Sequence, residues 1–337
     1  MLKHSYRIPV LLALAGLAAC GAGNVSPVAP YARQAVSHAA AAGNPCLQAR
    51  KRGPAPSVAD ADFSTFTTAV TNGRRICFSA YVFTDDAFYA LESAATNGAK
   101  VTVVLPLEEQ AEDGARAAQL AQGGATIVWD DGSSTPPLHA KLAIVDGVAF
   151  LDGRNWDDGD VVITDGNPAD FSAVENALNL HPTSSKNLDT LKSAALAREA
   201  AFLSGVKIRK GVAIRFMSES FGTDSDLVSA LESAAKAGAG VQAIVLGSYV
   251  SGNSPEIAAL DALKAAGVSV RLNPASGSEK MLLAGNLHRA WFGSANATSY
   301  GQQWDNYIDW GLNVTAKPVL GKLDAYFTSV WKSSAPY

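Results

Sequence analysis

Residues 137–156 read Pro137-Leu138-His139-Ala140-Lys141-Leu142-Ala143-Ile144-Val145-Asp146-Gly147-Val148-Ala149-Phe150-Leu151-Asp152-Gly153-Arg154-Asn155-Trp156. The pattern is that of a β-hairpin. A strand from His139 to Val145 ends on Asp146-Gly147, a strong two-residue turn signal, and Val148 to Leu151 returns. Side chains alternate with period two, so His139, Lys141 and Ala143 share a face. An imidazole and an ammonium therefore stand side by side on an otherwise apolar strand. Asn155 follows the return strand, at the end where the hairpin brings it back towards His139. A base or nucleophile, a fixed cation and an amide donor converge there, as chemistry on an anionic phosphoester requires.

The tripeptide H-x-K alone is common by chance. More weight rests on the longer pattern, H-x-K-x4-D from His139 to Asp146 followed by Asp152-Gly153-Arg154-Asn155, and on a second copy of the frame. That copy runs Ser278-Glu279-Lys280 to Gly285, then Gly293-Ser294-Ala295-Asn296. The whole resembles the phospholipase D superfamily, whose signature is H-x-K-x4-D followed by G-S-x-N or G-G-x-N. The resemblance covers roughly Val58 to the C-terminus. In the second copy Lys280 aligns with Lys141 and Asn296 with Asn155, but Ser278 stands in the place of His139 and Gly285 in that of Asp146.

The resemblance implies covalent catalysis. One His attacks phosphorus, another protonates the leaving alkoxide, and two Lys and two Asn hold the non-bridging oxygens. Residue by residue it carries over His139 as nucleophile or acid–base and Lys141 and Lys280 as fixed cations. Asn155, Asn296 and, more weakly, Ser294 become phosphate-binding groups. Asp146 is carried over as a catalytic residue, with a structural role in the turn as the equal alternative. What replaces the missing imidazole is open. Ser278 is a poor acid, and His288 reads as a solvated turn residue. His4, His38 and His181 have no motif around them. No His, Cys, Asp or Glu cluster has the spacing of a metal site, no cofactor is expected, and Asp157, Asp158 and Asp160 read as a solvated acidic loop.

The halves repeat beyond the motif. Ala90-Leu91-Glu92-Ser93-Ala94-Ala95 recurs at Ala230–Ala235. Each copy leads to a Gly (Gly98, Gly238), an apolar strand (Val101–Leu105, Val241–Leu246), a second helical stretch, a Gly (Gly124, Gly267) and a further strand (Thr126–Trp129, Val268–Leu272). Each half then ends with a strand, Asp160–Ile163 or Asp309–Val314, and a helix, from Ala169 or from Val319 to Trp331. Phe327 and Trp331 lie on one helical face and read as core. The Ala- and Leu-rich stretch Leu188–Leu203 reads as a helix closing the first half. The expected fold is α/β, two phospholipase D-like α/β/α sandwich repeats related by a pseudo-twofold, with domains at 58–203 and 204–337.

Residues 1–19 read as a signal peptide: Lys3 and Arg7, then the apolar run Ile8 to Ala19. Leu17-Ala18-Ala19-Cys20 resembles a bacterial lipobox, which implies lipid on Cys20 and an exported, membrane-anchored lipoprotein. Residues 20–57 read as a tether rich in Ala, Pro and Gly. Cys46 and Cys77 remain, either as a disulfide or as two thiols. Of 27 basic residues Lys3 and Arg7 leave with the leader, so 25 face 31 acidic ones. That balance argues against broad nucleic-acid binding. The expected activity is a phosphodiesterase hydrolysing or transferring phosphodiester groups through a phosphohistidine. A phospholipid is the favoured substrate and a monomer the expected state. The alternatives are a pseudoenzyme that binds phosphate-containing ligands, or a nuclease.

Overall fold

The computed structural model describes residues 37–38, 46–51, 58–132, 136–206, 208, 210–222, 226–284, 288–298 and 306–337. Residues 1–19, Cys20 and most of the segment 20–57 lie outside them. In chain order the first half holds β1 (Ser37–His38), β2 (Val58–Asp60), α1 (Phe63–Asn72), β3 (Arg75–Ser79), α2 (Asp85–Thr96), β4 (Lys100–Pro106), α3 (Gln110–Gln122), β5 (Thr126–Asp130), β6 (Leu142–Val145), β7 (Val148–Asp152), β8 (Val162–Asp165) and α4 (Pro168–Leu178). There follow β9 (Leu188–Asp189), α5 (Lys192–Ser204), β10 (Ala213–Met217), α6 (Asp226–Lys236), β11 (Gly240–Leu246), α7 (Gly247–Val250), α8 (Ser254–Ala265), β12 (Ser269–Asn273), β13 (Lys280–Ala284), β14 (Arg289–Gly293), β15 (Gly311–Val314), α9 (Lys317–Ser333) and β16 (Ala335–Pro336).

Two mixed sheets result, ordered β1-β5-β4-β3-β6-β7-β8-β2 and β16-β12-β11-β10-β13-β14-β15-β9. Apart from the edges they are copies. β3 and β10 are each parallel to the strand that follows their helix and antiparallel to the first strand of a hairpin. The repeated Ala-Leu-Glu-Ser-Ala-Ala lies inside α2 and α6. The glycines behind these helices adopt φ of +85° at Gly98 and +89° at Gly238. Each then closes its helix the same way: Gly98 N donates to Ala95 O and Gly238 N to Ala235 O. Gly124 and Gly267 do the same behind α3 and α8. A left-handed residue after the last turn is what a Schellman-type stop requires.

Strand alternation sorts side chains into three cores. Cys77, Leu142, Ile144, Ala149 and Leu151 meet Met281, Leu283, Ala290 and Phe292 in a central layer between the sheets, filled by α4 and α9. Ile76, Phe78, Ala143 and Phe150 turn outward under α1 and α2, while Phe216, Leu282 and Trp291 turn outward under α5, α6 and α8. Phe327 is buried in the central layer, with the Trp331 ring stacked on it at 5.9 Å. Among the described residues no helix is long and apolar enough to cross a membrane.

Two expectations about boundaries change. The stretch from Leu188 does not begin as helix: Leu188 and Asp189 pair with Leu312 and Gly311, so β9 edges the second sheet. Helix α5 packs Ala195, Phe202 and Leu203 into the outer core of that sheet. The chain thus crosses to the second sheet between Leu178 and Leu188, ahead of the 203/204 boundary. Part of the tether also joins the fold. Ser37–His38 pairs parallel with Val128 and Trp129. Residues 46–51 run over the hairpin turn, where Gln48 Nε2 donates to Ile144 O and Lys51 N to Gly147 O. A disulfide joins Cys46 to Cys77 across 31 residues and pins this segment to β3. In chain-entropy terms that loop is worth about 3.7 kcal/mol. A C46A/C77A variant should therefore melt several degrees lower than the oxidised parent. Identical melting curves would show that the bond constrains nothing.

Candidate active site

The hairpin forms as the sequence indicates. Leu142 faces Leu151 and Val145 faces Val148, and the turn residues Asp146 and Gly147 take φ of +48° and +79°. Hydrogen-bonded strand begins only at Leu142, but the extended segment before it continues the alternation. Leu138, Ala140 and Leu142 enter the central core, while His139 and Lys141 take the other face. The second half holds this segment: His139 N donates to Ile308 O and Ile308 N to Pro137 O.

His139 is oriented across the repeat. Its Nδ1 lies 2.8 Å from Asp309 Oδ1, and its ring packs against Tyr81 at 4.6 Å and Tyr307 at 5.8 Å. Asp309 is 1% exposed. Burial alone would raise its carboxyl, but His139 and Lys141 beside it hold it at about 2. An ionised carboxylate only accepts, so it receives a hydrogen bond from Nδ1–H and leaves the lone pair on Nε2. Burial, reinforced by Lys141 and Lys280 and opposed by Asp309, lowers the imidazole pKa and keeps the ring neutral near pH 7.

The lysines sit behind the ring. Lys141 Nζ stands 3.2 Å from both ring nitrogens and 2.6 Å from His139 O. Its burial, with Lys280 adding repulsion against the pull of Asp309, brings the ammonium down to about 7. Lys280 crosses the other way, its Nζ donating to Gly153 O at 3.1 Å and pairing with Glu219 Oε1 at 2.9 Å. Burial would raise Glu219, but Lys280 outweighs it and holds the carboxyl at about 2. The asparagines are held by the loops leaving the central strands. Asn155 Oδ1 accepts from Val82 N, and Asn296 Oδ1 from Glu219 N, both at 3.3 Å. Asn296 Nδ2 donates to Glu219 Oε2. A cavity of ≈ 420 Å³ opens over His139 and Asp309, lined also by Tyr81, Lys192, Asn296 and Tyr307.

Three expectations fail here. Asp146 is not at the site. It accepts from Arg74 N and Arg75 N at the far end of the sheet, five residues and roughly 16 Å of strand from Lys141. Ser294, fully buried, gives its Oγ–H to Asp309 Oδ1 at 2.7 Å and accepts from Trp310 N, so it positions the carboxylate and does not face a phosphate. Asp160 is 1% exposed and pairs with Arg154 at 2.6 Å, so it is not solvated. His288 is exposed, as expected, and so is His181.

Strand register explains what replaces the missing imidazole. Asp152 pairs with Val162 as Gly293 pairs with Gly311, so Asp160 is the repeat equivalent of Asp309. An imidazole at 278 would meet Asp160 as His139 meets Asp309. Instead Ser278 Oγ accepts from Asn273 Nδ2 at 2.7 Å, and the Arg154 guanidinium both pairs with Asp160 and lies against Gly277. Asp309 escaped the motif reading because it lies outside both signatures. The signal was its recurrence, an Asp opening the same strand in each half.

Comparison of the sequence with protein-family models and with curated proteins gives no match. Solved structures do match. A polyphosphate kinase from Porphyromonas gingivalis aligns over 83% of this chain and 48% of its own, with 14% identity and a TM-score of 0.60. This chain thus spans about half that protein's length. A phosphatidylserine synthase from Haemophilus influenzae Rd KW20 aligns over 84% and 87%, with 9% identity and a TM-score of 0.57. A phospholipase D family member, Nuc from Salmonella typhimurium, aligns over 46% and 98%, with 20% identity and a TM-score of 0.38. With two sheets of one strand order and a hairpin motif in each, this chain has a two-repeat, phospholipase D-like α/β fold that it shares with the first two of these structures.

Proposed function

We propose that the protein is a phosphodiesterase that hydrolyses or transfers phosphodiester groups through a phosphohistidine on His139. The observation that carries this reading is the His139–Asp309 pair at 2.8 Å, set at the mouth of a cavity with Lys141 and Lys280 behind it. Neutral Nε2 attacks phosphorus and the bond to the leaving oxygen breaks. Water then attacks the same phosphorus, the P–N bond breaks, the water proton passes to solvent, and the imidazole is restored. Lys141, Lys280, Asn155 and Asn296 stabilise the charge that gathers on the non-bridging oxygens. Among the described residues no imidazole stands opposite to protonate the leaving group, and Glu219, held ionised, cannot do so. Aryl esters, which depart unprotonated, should therefore turn over faster than alkyl diesters, phospholipids included. Phospholipid remains the favoured natural class, supported by the lipobox-like Cys20. The Cys46–Cys77 disulfide fits an exported chain. The second reading, a phosphate-binding pseudoenzyme, rests on Arg154 occupying Asp160 where the second imidazole would act.

Hydrolysis of bis(p-nitrophenyl) phosphate by the purified protein tests this, and the pH profile carries its signature. His139 must be neutral and its pKa is lowered, so kcat/KM rises with pH below the ordinary imidazole range. Lys141 must be charged and its pKa is about 7, so kcat/KM falls again above neutrality. The expected profile is a bell whose maximum lies below pH 7. Lys141→Arg, which cannot deprotonate in that range, should push the alkaline limb outward. If no diester is cleaved while phosphate-containing ligands bind in a Lys280-dependent way, the binding reading replaces this one.

A further inference from the structure

We propose that Asp152, Asp160 and Glu279 form a buried site for a hard divalent cation that ties the two repeats together beside Lys280. One oxygen from each carboxylate lies within 4.8 Å of the others. That matches ligands spread around an ion with oxygen bonds of roughly 2.3–2.6 Å, as for calcium. No such spacing is visible along the chain, because the first two residues and the third come from different halves.

Two of the carboxylates are built with one oxygen fixed and one unanswered. Asp152 Oδ2 accepts from Trp156 N at 2.8 Å and Arg154 N at 3.1 Å, and Glu279 Oε1 accepts from Val161 N at 2.7 Å. Asp152 Oδ1 and Glu279 Oε2 are buried and, among the described residues, have no hydrogen-bond partner. Both side chains are fully buried, at 0% exposure, where an acceptor without a donor is costly. The charge is unbalanced in the same sense. Three carboxylates meet one guanidinium, Arg154 on Asp160, while the nearby Lys280 is matched by Glu219. A divalent cation would close the remaining deficit. An all-oxygen donor set selects calcium, magnesium or manganese over zinc.

The cluster is not a by-product of the repeat. The equivalents of Asp152 and Glu279 in the other half are Gly293 and Ala140, so only the side that lost its imidazole carries it. Gly153 lets Glu279 in: a Cβ there would lie 2.1 Å from Glu279 Oε2. The carbonyl of Gly153 also receives Lys280. An ion on Asp152 and Glu279 would therefore fix Lys280 from both sides. This inference does not depend on the proposed reaction.

The full-length protein, stripped with EDTA, is titrated separately with Ca²⁺, Mg²⁺ and Mn²⁺, reading bound metal per chain by equilibrium dialysis and the melting temperature. At least one ion should bind at one per chain and raise the melting temperature. Asp152→Asn and Glu279→Gln should each weaken binding more than about tenfold, and Asp158→Asn, at an exposed position, should leave it unchanged. Glu279→Gln keeps the oxygen that accepts from Val161 N and removes a buried acid, so in EDTA it should melt no lower than the parent, which separates lost binding from misfolding. Retention of none of the three ions, or equal retention by both variants, overturns the proposal; in the first case shared protons hold the cluster.

Discussion

His139→Ala should reduce hydrolysis of an aryl phosphodiester by roughly 10³-fold or more, the loss expected when a nucleophile disappears and no neighbour can replace it. The surroundings exclude a substitute. Asp309 is ionised and bound to Ser294, Glu219 is bound to Lys280, and Ser278 is held by Asn273. The variant should keep its fold, because the imidazole is 17% exposed at a cavity mouth and Asp309 retains the Ser294 hydroxyl. Initial rates with matched melting curves decide the matter. A folded His139→Ala protein with parental turnover would remove His139 from the chemistry.

The second large effect is a gain that needs two changes. Restoring an imidazole by Ser278→His should do little alone, because Arg154 occupies Asp160 at 2.6 Å and its guanidinium lies against Gly277. A second cation would be repelled there, and a neutral ring would lack its orienting carboxylate. Arg154→Ala copies the residue at the equivalent place in the second half, Ala295. Alone it should destabilise the protein by about 3 kcal/mol or more, since Asp160 loses its buried partner. Combined, the introduced imidazole takes that carboxylate and can protonate a leaving alkoxide. Turnover of alkyl diesters should then rise by roughly 10²–10⁴-fold over the parent, with a much smaller change for nitrophenyl esters. Steady-state rates of the parent, both single variants and the double variant on paired alkyl and aryl substrates test this. A full gain from Ser278→His alone would mean that Arg154 is not the obstacle.

Sequence and structure agree most where the information is local. The hairpin at 142–152 needs only period-two alternation and the Asp146-Gly147 turn. The four helix stops need only glycines that tolerate positive φ. Disagreement begins where tertiary contacts decide. Leu188–Asp189 sits in a helix-forming composition, yet becomes strand because Gly311–Leu312 offers it an edge. Ser294 matches the signature by type, but its hydroxyl is claimed by a carboxylate 15 residues on. Asp146 completes the motif, but five residues of extended chain carry it away from the cavity. The partner of His139 lies 170 residues distant and arrives only through the pseudo-twofold. Of the three buried acids, Asp160 reads in sequence as part of a solvated loop and Asp152 and Glu279 only as residues flanking the two motifs, because burial there is created by the facing repeat.

The most direct test of the central claim is a rapid-quench reaction with bis(p-nitrophenyl) phosphate, followed by peptide mapping under conditions that preserve phosphoramidates. The account predicts a burst of one nitrophenolate per chain and a nitrophenyl-phosphoryl adduct on the peptide carrying His139, both absent in His139→Ala. A burst with its adduct on any other residue, or turnover that persists without His139, would contradict it.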